Sequence, residues 1–161
     1  MVAAMGVLLV VGLATAAAAT QARAKATVLG GYRGRWGDQL VVEVNGQKIA
    51  LFDFSKDSSG KSACYGKCAR TWYPLIDRGQ VVVANGSEVN RKRLRTFRRK
   101  DGSIQLEYWG QPLYRCRIDT KTRQTRGDGV YQYGGSWGLM GVQGSALAHD
   151  MYGGSQHVPR C

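Results

Sequence analysis

Residues 42–57 read VEVNGQKIALFDFSKD, and residues 106–119 read LEYWGQPLYRCRID. Each stretch joins an apolar run to a second one through a Gly-Gln turn, and each places an aromatic, Phe52 or Tyr114, five residues before an aspartate, Asp57 or Asp119. In the first copy Asn45-Gly46 is the strongest two-residue hairpin signal, because a type I′ turn needs positive φ at both central residues. Strands are expected at about 39–44 and 47–54. Around the second copy, Asp101-Gly102 and Trp109-Gly110 separate three short runs, a meander that begins near Leu94. Pro112 stands at a strand entry, where a missing donor does little harm. Neither hairpin could bury its apolar face alone, so the repeat implies one shared core.

The rest of the chain fits that frame. In 161 residues there are 22 Gly, only 3 Pro, and Val, Leu, Tyr and Trp in short runs, which favours short strands and tight turns over long amphipathic helices. The expected fold is mainly β: two related antiparallel hairpin or meander units, about 39–75 and 94–137, forming one small domain over 37–137. A short helical turn is expected in CYGKCARTW, residues 64–72, with a linker over 25–36 and a Gly-rich, loop-like tail over 138–161.

Residues 1–24 begin with an apolar run free of charge and end in small residues that offer Ala-x-Ala cleavage sites, the pattern of a secretory signal. The alternative is an uncleaved anchor, since about 18 apolar residues can just span a bilayer. Export would carry Cys64, Cys68, Cys116 and Cys161 into an oxidising compartment, periplasmic, cell-surface or secreted, where an even number implies two bridges. Three pairings are open. Cys64 and Cys68 are four apart, within disulfide reach on a helical turn. Cys116 with Cys161 would then tie the tail to the body, a long loop worth about 3–4 kcal/mol in the chain-entropy model.

A redox centre fits poorly, because thiol oxidoreductases place two residues between their cysteines at a helix N-terminus, and here there are three. No haem-attachment, P-loop, Ser-His-Asp or zinc-protease motif is present, and no catalytic residue or cofactor is expected. The tail does gather His149, Asp150, Met151 and His157, a donor mix that suits copper and underlies an alternative reading as an accessory to extracytoplasmic electron transfer, with exposed Tyr and Trp residues as the other carriers. Asp57 and Asp119 invite an acid–base role, but an aspartate after a strand more often accepts hydrogen bonds from its own turn, a backbone amide or a tyrosine hydroxyl.

The chain carries 23 Lys and Arg against 11 Asp and Glu, a net charge of +12. The densest cluster is NRKRLRTFRRK, with Arg91, Lys92, Arg93, Arg95, Arg98, Arg99 and Lys100 as candidate anion-binding residues on a strand with a cationic outer face. Tyr108, Trp109, Trp72 and Phe97 lie near enough in sequence to stack on bases or sugars. Expected partners are anionic envelope components or other polyanions, without specific nucleic-acid readout, and a peripheral membrane contact.

Taken together, LFDFSKDSSGKSACYGKCARTWYPL (51–75), DGSIQLEYWGQPLYRCRID (101–119) and GGSW (134–137) resemble the bacterial secreted-repeat family of unknown function, over about residues 37–137. Its members are often lipoproteins with two copies of a Tyr-x4-Asp motif. Tyr114 and Asp119 match the second copy, Asp57 matches the first, and Phe52 replaces its tyrosine. Cys64, Gly66, Cys68, Ala69 and Trp72 match the cysteine segment, where Tyr73-Pro74 stands for the more usual Pro-Pro. Cys116 occupies a position that tends to be aromatic, and no lipid-bearing cysteine follows the apolar run. The resemblance implies an exported β-rich module of unassigned biochemistry and hands over no catalytic mechanism; with no catalytic motif in the residues themselves, the expected role is non-catalytic, by binding or as a structural part of the envelope.

Overall fold

The structure, a computed structural model, describes residues 27–144 and Cys161. The apolar segment 1–24 and the candidate copper ligands His149, Met151 and His157 lie outside the described residues. The described chain is mainly β. Its strands are β1 (Thr27–Gly34), β2 (Gly37–Val44), β3 (Gln47–Ala50), β4 (Phe52–Phe54), β5 (Trp72–Pro74), β6 (Val81–Val83), β7 (Leu94–Arg98), β8 (Ile104–Tyr108), β9 (Gln111–Pro112), β10 (Tyr114–Cys116), β11 (Tyr131–Gln132) and β12 (Gly135–Leu139). One short helix, α1 (Lys67–Thr71), follows Cys64, and a 3-10 turn at Arg91–Arg93 leads into β7.

The strands form sheets of order β3-β2-β1-β6, β11-β12-β4-β10-β5 and β7-β8-β9. Both hairpin turns take left-handed φ at their first residue, 50° at Asn45 and 53° at Trp109, followed by 75° at Gly46 and 79° at Gly110. This is the backbone that lets a two-residue loop follow the strand twist. Two expectations need correction. Residues 27–34, placed in a linker, form β1, which pairs with β2 from Val28 to Gly34. The Gly-rich tail expected from residue 138 starts later, because β12 runs to Leu139, and Leu139, Met140 and Val142 are fully buried.

With β1 and β12 included, the repeat is larger and more regular than its sequence. Three backbone bonds close a ring in each half. Leu40 N–H donates to Met140 O (2.8 Å), Met140 N–H to Leu51 O (2.9 Å) and Leu51 N–H to Leu40 O (3.0 Å). In the other half Leu106 N–H donates to Leu75 O (2.8 Å), Leu75 N–H to Leu113 O (2.8 Å) and Leu113 N–H to Leu106 O (3.0 Å). The rings equate Leu40 with Leu106, Leu51 with Leu113 and Met140 with Leu75. Strand register extends the match: β1 to β7, β4 to β10 and β12 to β5.

The last equivalence crosses over in sequence. β5, which follows the first hairpin, pairs with β10 of the second, and β12, which follows the second, pairs with β4 of the first. The halves meet where Phe52 faces Tyr114 across β4 and β10, on a pseudo-two-fold axis. Each half therefore completes the other's sheet.

Two buried clusters sit on this junction, and both draw from both halves. One holds the leucines of the rings together with Leu29, Val42, Ile49, Val89, Tyr108 and Val142. The other is aromatic: Trp72 and its mate Trp137 stack face to face (centroids 3.8 Å, 2° between planes), flanked edge-on by Phe52 against Trp72 (5.4 Å) and Tyr114 against Trp137 (5.2 Å). Such pairs add about 0.5–1.5 kcal/mol each beyond the area they bury. The disulfides Cys64–Cys68 and Cys116–Cys161 both border this cluster, each with Cα atoms 5.2 Å apart. The second bridge fastens Cys161 to β10.

Candidate functional site

The sequence expected seven basic residues on one cationic face. Six of them are exposed, although Arg95 and Arg98, three residues apart, project from opposite faces of β7. Arg91, Lys92 and Arg93 are exposed on the 3-10 turn, Arg95 and Arg98 on β7, and Lys100 just beyond it. Asn90 caps the turn, its side-chain oxygen accepting Lys92 N–H at 3.0 Å. β7 is the outer strand of its three-stranded sheet, and its cations Arg95 and Arg98 are exposed on either face of it. Among the described residues no carboxylate pairs with any of the six. Glu107, across from Arg95, is engaged by Gly60 N–H (2.7 Å) and the Ser59 hydroxyl (3.5 Å). Trp109 lies beneath the Arg93 guanidinium, 4.1 Å from ring centre to carbon, and is itself 39% exposed.

Arg99 is the correction. Its neighbours Arg98 and Lys100 point outward, whereas Arg99 is buried. Its guanidinium donates to Ser62 Oγ (3.0 Å), to Cys64 O (2.7 Å) and to Gln105 Oε1, while Nε reaches Asp101 (3.3 Å) and the plane covers Tyr65 (4.4 Å). It is an internal clamp holding the loop of the small disulfide to β8, and is unavailable to an outside anion. Two aromatics also leave the candidate surface. Trp72 is the central stacking residue of the core, and Tyr108 is fully buried, accepting Asn90 N–H (2.9 Å) and donating to Val142 O (2.6 Å). Of the stacking candidates only Trp109 is exposed, with Phe97 half-buried.

The repeat-motif residues gather in the interior. Tyr114 donates its hydroxyl to Asp57 Oδ2 at 2.5 Å, and Ser62 Oγ lies 2.8 Å from the same hydroxyl. The tyrosine of the second motif thus serves the aspartate of the first. Asp57 also accepts Ala63 N–H (2.8 Å), fixing the loop that leads to Cys64. Asp119 does the same work for its own connection, accepting Arg126 N–H at 3.1 Å, with Phe52 offering no hydroxyl at the position equivalent to Tyr114. Burial raises both aspartates above the usual carboxylate range, opposed at Asp57 by the Tyr114 bond and at Asp119 by the Arg126 amide. Tyr114 is pushed up as well, by burial first and then by the Asp57 charge. Each aspartate holds a loop, Asp57 the one that leads to Cys64 and Asp119 the one that leads to Arg126.

Two acids that the sequence did not single out are also perturbed. Asp53, in the middle of β4, and Asp128, before β12, are each raised to about 6, chiefly by burial and further by a neighbouring carboxylate. The alternation of Phe52, Asp53 and Phe54 was the available signal for Asp53, because it places a charge on the face opposite two buried rings.

Residues 95–140 match the family model described as a secreted repeat of unknown function. This is the family the whole-chain motifs resemble. The match begins in β7 and ends just past β12, so it spans Trp137 and the second Tyr-x4-Asp copy. No curated protein and no solved structure matches the chain. With the two disulfides, the secreted-repeat match indicates an exported protein.

Proposed function

We propose that the protein is a non-catalytic module of the cell envelope that holds anionic partners on the face formed by the 3-10 turn and β7. The observation that carries this reading is the cluster of Arg91, Lys92 and Arg93 on the 3-10 turn, Arg95 and Arg98 on the edge strand β7, and Lys100 just beyond it, all exposed and without a carboxylate partner among the described residues. Cations left unpaired side by side repel one another, and an external polyanion relieves that repulsion while releasing its own counterions. Trp109 under Arg93 adds a flat apolar surface beside the charges.

Titrating the purified chain with a short DNA duplex, as a model polyanion, at rising salt tests the reading. If all six cations engage phosphates, affinity falls by roughly 10³-fold between about 50 and 200 mM salt. Arg93→Gln with Arg95→Gln should weaken binding at low salt and flatten that slope. Affinity independent of salt, or unchanged in the double variant, would defeat the proposal.

A further inference from the structure

The pseudo-two-fold equates Arg99 with Gly34. Gln105 faces Phe97 across the second hairpin and Gln39 faces Tyr32 across the first, and two residues further along come Arg99 and Gly34. In the second half Arg99 fills the space beside Gln105 and bonds to its amide. In the first half there is no side chain to do so. The Gln39 amide lies flat on Gly34, with Nε2 only 2.2 Å from where a Cβ would stand. Gln39 is 3% exposed, yet its amide makes no hydrogen bond among the described residues. A buried amide without partners costs about 1–3 kcal/mol, so its persistence points to a ligand.

A cavity of about 630 Å³ opens at that point, lined by Gln39, Gly34, Tyr32, Trp36, Asp128 and the guanidinium-bearing residues Arg33, Arg35 and Arg123. Arg33 is paired with Asp38 at 3.2 Å, but neither Arg35 nor Arg123 has a carboxylate partner among the described residues. Arg123 is held in place: its backbone takes a left-handed φ of 72°, rare for a residue with a side chain, and its Nε donates to the Tyr32 hydroxyl at 2.8 Å. Arg35 stacks on Trp36 at 4.5 Å, and Trp36 is 40% exposed at the rim. The single carboxylate on the wall, Asp128, is engaged by Leu139 N–H at 3.1 Å.

We infer that this cavity binds a small anionic sugar, its carboxylate or phosphate group held by Arg35, Arg123 and the Gln39 amide, and its ring resting beside Trp36. The chemistry is that of a planar fork meeting an oxyanion, with a buried amide to orient it and an aromatic face to cover the ring. The site is separate from the β7 face and independent of it.

The test is a titration of isotopically labelled protein with glucuronate, glucose 6-phosphate and neutral glucose, following the Gln39 side-chain amide, the Gly34 amide and the Trp36 indole by NMR. At least one anion is expected to shift all three saturably and bind at least ten-fold more tightly than glucose; the one that binds more tightly identifies the acid or the phosphate as the group recognised. The exposed double variant Arg35→Gln with Arg123→Gln should weaken binding at least ten-fold, and Gly34→Arg, whose side chain must displace the Gln39 amide, should abolish it. Arg93→Gln with Arg95→Gln should leave it intact even if polyanion binding is lost. No shift with either anion, equal binding of glucose, unchanged affinity in the Arg35 and Arg123 variant, or equal loss in the β7 variant would each overturn the inference.

Discussion

The two halves of this domain share a backbone and differ in what they put inside it. In the second half Arg99, Gln105, Ser62, Tyr114 and Asp57 form a continuous buried network. In the first half the equivalents of the arginine and the tyrosine are Gly34 and Phe52; among the described residues the Gln39 amide has no hydrogen-bond partner, and Asp119 accepts the Arg126 backbone amide. A further contrast lies at the centre of the paired strands, where β4 carries Asp53 and β10 carries Arg115. Identical strand pairings therefore tolerate opposite interior chemistry. Around Arg99 the interior is closed by side chains drawn from both units, whereas the equivalent place in the first half, at Gly34 and Gln39, opens onto a cavity.

The comparison breaks hardest at Arg99. Arg99→Leu removes a buried guanidinium and takes one donor each from Ser62 Oγ, Gln105 Oε1 and Cys64 O, so stability should fall by about 3–5 kcal/mol, read as a lower urea midpoint at unchanged slope. A loss under 1 kcal/mol would mean that the network is decoration.

Next in size is the acid half's response to pH. Asp53 has a folded pKa of about 6 against 3.8 unfolded, so between those values the folded chain keeps a proton that the unfolded chain has shed. Stability is then greatest below about pH 4 and falls as pH rises to about 6, by at most about 3 kcal/mol from this group. Asp128 acts in the same direction. Melting temperatures measured from pH 4 to 7 should fall along this window, and Asp53→Asn should flatten the trend; a profile that rises with pH would contradict it.

The smallest effects sharpen the comparison by exchanging the halves' chemistry. Tyr114→Phe makes the second half resemble the first, leaving Asp57 and Ser62 without the shared hydroxyl at a cost of about 1–3 kcal/mol. Phe52→Tyr makes the first resemble the second, and a hydroxyl reaching Asp119 should add about 1 kcal/mol. If Phe52→Tyr destabilises as much as Tyr114→Phe, the interiors are less equivalent than the backbone.

Both hairpins were readable from local signals, since Asn45-Gly46 and the echo of Phe52 with Asp57 in Tyr114 with Asp119 depend only on nearby residues. The same holds for the helical turn at Lys67–Thr71 and for the basic character of residues 91–100. β1 and β12 were missed because TVLGGYRG and GSWGL hold glycines, which by themselves argue for loops. Their reason is distant. A Cβ on Gly135 would stand 2.6 Å from the Phe54 ring, so glycine there is a packing requirement set by a strand some eighty residues away. Gln39 carried no signal at all, since an idle buried amide exists only once Gly34 is known to lie against it.

The sequence alone determined the turns, the strand-rich composition, the excess of positive charge and the presence of two related units, because each of these follows from propensity, spacing or counting within a short window. Only the tertiary structure decided that β5 and β12 exchange partners between the units, that Tyr114 serves Asp57 rather than Asp119, and that Arg99 turns inward among outward-facing neighbours. Those outcomes depend on which distant backbone stands beside each residue: a guanidinium is buried only where Ser62, Cys64 and Gln105 converge to receive its donors, and no local stretch of chain contains that convergence.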